Sequence, residues 1–149
     1  VSTHRERELA ARQMSAIRRL QLQRAQAEES AARAAAARCR LAHEQALGHE
    51  AQCRAGHLRA LNGEVCVDLA ILRQWMQASA EAEKQTKSLQ LRREEADAAV
   101  QTAWAKTCAS EKLLAEAAAS LREAHRTLQR KVDEKKLDTI EQLMRVRTL

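Results

Sequence analysis

The apolar positions of this chain recur with a helical period. Leu114, Leu121 and Leu128 repeat at seven, with Ala118, His125 and Val132 between them, which is the pattern of a coiled-coil seam. Start and stop signals divide the pattern in two. Thr3 and Glu6 form the T-x-x-E pattern of a capping box, and the Leu61-Asn62-Gly63 step is the strongest helix stop in the chain. Asp68, just ahead of Leu69, Ile71 and Leu72, reads as the N-cap or first-turn acid of a second helix. The spacing therefore predicts one domain over 1–149: a helix over 3–61, a turn over 62–67 and a helix over 68–147. At 1.5 Å per residue the arms would be roughly 90 and 120 Å long. The predicted fold is all-α, a long antiparallel two-helix coiled-coil hairpin with the second helix longer.

Folding the chain near residues 64 and 65 places residue i beside a residue close to 129 minus i. Met14 and Ile17 then approach Leu113 and Leu114, and Leu9 approaches Leu121. Trp104 falls opposite the small Ala25 and Ala27, and Leu58 and Leu61 meet Leu69, Ile71 and Leu72. In the middle, the alanines of 34–37 face a seam continued from Leu72 and Met76 through Ser79, Glu83, Thr86, Gln90, Arg93 and Asp97. So polar a seam is weakly held, unless the phase differs by one residue or another chain covers it. Leu137, Ile140 and Met144 fall out of the seam's phase, as a stutter would produce. In this register the stretch 128–149 has no partner in its own chain, yet it carries Leu137, Ile140, Leu143, Met144 and Val146. It is either a docking element or a frayed or self-associating tail.

Composition narrows the functional classes. There is no proline, phenylalanine or tyrosine, and the three glycines lie between 48 and 63. Alanine is the largest part of the 45% hydrophobic content and is too small for a thick core, and 31% of residues are charged. Catalytic pockets need loop-borne polar groups and bulky walls, so neither an enzyme nor a cofactor is expected. No apolar run reaches membrane-spanning length and no secretory signal pattern is present, so a cytoplasmic protein is expected.

The net charge of +6 is uneven. Residues 1–24 hold six Arg against two acids, 122–149 hold eight basic residues against five acids, and the rest is nearly balanced. A hairpin brings both basic segments to one end, with Arg18, Arg19, Arg130, Lys131, Lys135 and Lys136 as main contributors. With no aromatic interleaving and no helix-turn-helix or basic-region pattern, an acidic protein surface fits this end better than nucleic acid. Cys39, Cys53, Cys66 and Cys108 do not face one another in the register and read as free thiols. Cys39/His43 and Cys53/His57 share the i,i+4 spacing of helical metal ligands, but Leu72, Trp75 and Met76 face them and supply no further ligands, so no metal is expected. Trp75, one turn past the bend, serves either as a core residue of the vertex or, with Met76 taking the seam, as a partner contact.

A basic, proline-free helical hairpin with a longer second arm and a charged C-terminal segment, LREAHRTLQRKVDEKKLDTIEQL, resembles the FliJ/YscO/HrpO family of type III secretion proteins. The resemblance covers nearly the whole chain and rests on architecture and texture. It implies a central stalk of a hexameric secretion ATPase, peripheral to the inner-membrane secretion apparatus. Paired termini would enter the ring and the vertex would face the export gate protein, with a further role in escorting secretion chaperones. It would set Arg18, Arg19, Arg130, Lys131, Lys135, Lys136, Ile140, Leu143 and Met144 at the ATPase end, and Trp75 and Met76 at the vertex. The chain departs from the family in having Trp75 as the one aromatic residue near that vertex. The competing reading is a generic coiled coil that assembles with itself and has no motor partner.

Overall fold

The computed structural model describes the backbone of residues 2–62 and 68–147 and the side chains of 3–62 and 68–145. Two helices account for the described chain: α1 (Ser2–Leu61, 60 residues) and α2 (Leu69–Arg147, 79 residues). The fold is all-α, a helical hairpin with the second helix longer. α1 already includes Ser2 and Thr3, and at its far end the Asn62 amide donates to the Leu58 carbonyl at 3.1 Å. Asp68 caps α2 as its sequence suggests: Oδ1 accepts the Ala70 amide at 2.9 Å, satisfying one otherwise orphaned first-turn donor. Most of the expected turn, including Gly63 and Cys66, lies outside the described residues.

Burial follows a four-three alternation, broken at the exposed Arg93. On α1 the sheltered positions include Glu8, Ser15, Glu29, Ala36, His43 and Glu50 in one column and Ala25, Cys39, Ala46 and Cys53 in the other. On α2 they are Leu72, Ser79, Thr86, Val100, Thr107, Leu114, Leu121 and Leu128, alternating with Trp75, Ala82, Leu89, Ala96, Ala103 and Ala117. This spacing of 3.5 residues is that of knobs-into-holes packing. The two helices share the work unequally. α2 supplies the bulk, while α1 offers Ala, Ser, Cys, Glu and His, so that no large side chain among the described residues is completely enclosed.

The packing forms two compact units. In the first, 1–27 with 105–149, His125 Nδ1 lies 3.1 Å from Glu8 Oε1. In the second, 28–104, Arg40 Nη2 donates to Asp97 Oδ1 at 2.7 Å and the Trp75 ring covers Gly56.

These contacts correct the sequence-derived register and seam. Glu8 meets His125, about one turn beyond the expected Leu121. Leu9, Met14 and Ile17 are 56%, 47% and 50% exposed and lie off the seam. The second column on α2 runs through Trp75, Ala82, Leu89 and Ala96, one residue before the expected Met76, Glu83, Gln90 and Asp97. Trp104 is more than half exposed beside the buried Ala103, outside the pocket of small residues expected for it. The cause is the same throughout. Large apolar residues of α1 look like seam residues, but its narrow groove is built from small ones, and α2 rotates by one position to place Trp75 and Leu89 over them.

Candidate partner-binding surface

Val132 is the last half-buried residue of α2, and the following stretch, 133–145, is exposed throughout. α2 therefore runs beyond the first turn of α1 and leaves Leu137, Ile140, Leu143 and Met144 between 49% and 66% exposed. Leu137, Ile140 and Met144 follow one another at three and four residues and so share a face, with Leu143 set to one side. That face lies on the side of the helix away from Leu121 and Leu128, which point to α1.

The same outward face continues toward the middle of α2 as Arg122, Arg126 and Arg130, three exposed arginines at i,i+4 spacing. With Ala119, Glu123 and Thr127 they line a shallow open groove. None of the three forms an ion pair among the described residues.

The other expected cations behave differently. Lys131 Nζ pairs with Glu134 at 2.6 Å and Lys136 Nζ approaches Asp133 at 3.6 Å, so two of the C-terminal charges are compensated within their own helix. Arg18 is half-buried in the seam and its Nη1 donates to Gln21 Oε1 at 2.9 Å, while Arg19 and Lys135 are exposed. Because Glu8 is level with His125, Arg18 and Arg19 stand roughly 20 Å along the axis from Arg130. The structure thus does not gather the six basic residues into one tip.

Glu8 anchors this end of the pair. It is buried at a seam position, and Arg12 Nη2 donates to its Oε1 at 2.6 Å while His125 lies on the opposite helix. The hydrogen bond from His125 is the main reason its carboxyl is held below the usual value, with burial opposing and Arg12 assisting. Glu29 with Arg33 and Glu50 with Arg54 repeat the arrangement three heptads apart along α1. An acid in a seam position is thereby neutralised from its own helix.

At the other end Trp75 is half-buried against Gly56, and Met76 is 54% exposed in an apolar patch with Leu69 and Leu72. Cys39, Cys53 and Cys108 are free thiols, and Cys53 Sγ contacts His49 Nε2 at 3.7 Å. Among the described residues no cluster of three metal-ligating side chains forms, and no helix is long and apolar enough to cross a membrane.

Sequence reasoning missed Arg122 and Arg126 and left Leu137 out of the site. The i,i+4 spacing of Arg122, Arg126 and Arg130 and its continuation into Leu137 was the available signal. No protein-family description, curated protein or solved structure matches the chain.

Proposed function

We propose that this protein works by binding other proteins through the part of α2 that projects past α1. The observation that carries the reading is the exposure of Leu137 and Ile140 on a helical stretch with no covering helix among the described residues. Apolar residues at i, i+3 and i+7 are the anchors by which one helix seats in another protein's groove. Resemblance to the FliJ/YscO/HrpO family gives the proposal its specific form: the central stalk of a type III secretion ATPase, joining the hexamer to the export gate and handling chaperones. The test is a chain ending at Val132. It should lose binding to and stimulation of the cognate ring ATPase, whereas Trp75→Ala with Met76→Ala, at the vertex, should keep both. Undiminished binding by the shortened chain would overturn the docking role.

A second reading, self-association, is favoured by Leu9, Ile17 and Leu20, about half exposed on the outer face of α1. Sedimentation equilibrium decides. A mass that rises with concentration and falls to that of one chain in Leu9→Ser/Ile17→Ser supports assembly through this face, and a single-chain mass at all concentrations removes it.

A further inference from the structure

The outward face of α2 has two parts in one row. Arg122, Arg126 and Arg130 are followed on the same side by Leu137, Ile140 and Met144, and the row holds to one face of the helix for about six turns. The basic half lies where α1 packs against the opposite side of α2, and the apolar half lies beyond α1. The three arginines have no carboxylate partner among the described residues, whereas four arginines that border the seam are matched: Arg12 by Glu8, Arg33 by Glu29, Arg54 by Glu50 and Arg40 by Asp97.

From this juxtaposition we infer that the face receives an amphipathic helix of a partner protein, acidic in the half that lies along Arg122, Arg126 and Arg130 and apolar in the half that covers Leu137 and Ile140. The inference rests on the proposal that the projecting part of α2 is a docking element, and adds the chemistry of its occupant. Guanidinium groups one turn apart match carboxylates at the same helical spacing, and each can engage a carboxylate through two donors. The apolar half excludes a uniform polyanion. Asp133, Glu134, Asp138 and Glu141 intersperse it with Lys135 and Lys136, so a nucleic acid or an anionic lipid surface lying along the whole row would meet like charges throughout that half. A helix with acids at one end and apolar residues at the other meets neither penalty.

The test uses the full chain and three synthetic helical peptides. They share one apolar stripe and carry Glu, Gln or Lys on the same face in one half, read by fluorescence anisotropy. The Glu peptide should bind about tenfold more tightly than the Gln peptide and the Lys peptide more weakly still. In Arg122→Glu/Arg126→Glu/Arg130→Glu that order should invert. Leu137→Ser/Ile140→Ser should weaken all three peptides alike and keep their order, because it removes the shared apolar contact. All five positions are exposed, and circular dichroism verifies that the variants stay helical. An order that survives charge reversal overturns the inference. So does arginine-dependent binding to phosphatidylserine vesicles or duplex DNA together with indifference to the Glu peptide. If truncation at Val132 abolishes ATPase binding while the peptides bind without regard to charge, only this inference falls. If truncation leaves ATPase binding intact, the docking proposal falls first.

Discussion

The indole of Trp75 lies directly on the backbone of Gly56: a Cβ added to Gly56 would come within 2.5 Å of two ring atoms. Gly56 is in the body of α1, where glycine weakens a helix relative to alanine by about 1 kcal/mol. The cost is offset by letting the largest side chain of α2's seam reach the α1 axis. Gly48, with nothing within 4 Å of the same construction, has no such role. Gly48→Ala should therefore stabilise the protein by about 0.5–1 kcal/mol. Gly56→Ala should destabilise it by about 1 kcal/mol or more, because overpacking outweighs the propensity gain. Chemical denaturation gives both signs, and in a Trp75→Ala background Gly56→Ala should become stabilising.

The position of the seam makes a second prediction. Leu89 lies in the seam and Leu91, two residues on, is 61% exposed. Leu89→Ala should cost about 2 kcal/mol and Leu91→Ala less than about 0.5 kcal/mol. Gln90→Leu, in the column that the sequence phase would have placed inside, should leave stability nearly unchanged. A reversed ranking in thermal or urea melts would return the seam to Met76, Glu83 and Gln90.

The helical hairpin was legible because its described parts follow strong local signals: the absence of proline, the end of α1 at Leu61 and the Asp68 cap. The seam of α1 was not. A search for large apolar residues selects Leu9, Met14 and Ile17, whereas the groove is made by Ala25, Ala36, Ala46 and Cys53, with Glu8, Glu29 and Glu50 tolerated because Arg12, Arg33 and Arg54 neutralise them from the next turn. Small residues also occur on exposed faces and carry little signal. An acid at a seam position argues against burial until its partner is seen. The projecting apolar stripe was legible from length alone, since α2 outruns α1, and the i,i+3 spacing of Lys131 with Glu134 and of Asp133 with Lys136 was an available signal that these lysines are compensated within their own helix.

Glu8 predicts an acid-side loss of stability. Its carboxyl is held below the ordinary 4.5 chiefly by the hydrogen bond from His125. A lowered carboxyl contributes stability that is complete above the ordinary carboxylate range and is lost as pH falls through the lowered value. Glu8→Gln should thus melt below the parent at about pH 6, and the difference should shrink as pH falls through the lowered value and the Glu8 carboxyl is neutralised. Glu83 is also lowered, by its hydrogen bond from Lys87, so the quantity to measure is the difference between the two melting curves. A gap that stays constant with pH would show that the carboxylate form of Glu8 contributes nothing at this contact.

The second unit holds two buried polar atoms with no hydrogen-bond partner among the described residues, His43 Nδ1 and Ser79 Oγ. Thr86, also buried, returns its hydroxyl to the Ala82 carbonyl at 3.0 Å and adds no bond between the helices. From Ser79 to Ala96 the seam of α2 thus offers the leucine at 89 as its one large apolar side chain, against alanines, Cys53 and His43 of α1. Local opening there breaks few contacts and gives two unsatisfied groups access to water, so its free energy should lie well below that of global unfolding. Amide exchange should accordingly be faster over about 79–98 than over 107–124, where Leu114 and Leu121 fill the seam. Ser79→Ala removes an unsatisfied hydroxyl and raises helix propensity, and should stabilise by about 1 kcal/mol and slow exchange across 79–98. If Ser79→Ala instead destabilised the protein, the hydroxyl would have a partner in solution; uniform exchange along α2 would show that opening of the two units is not separable.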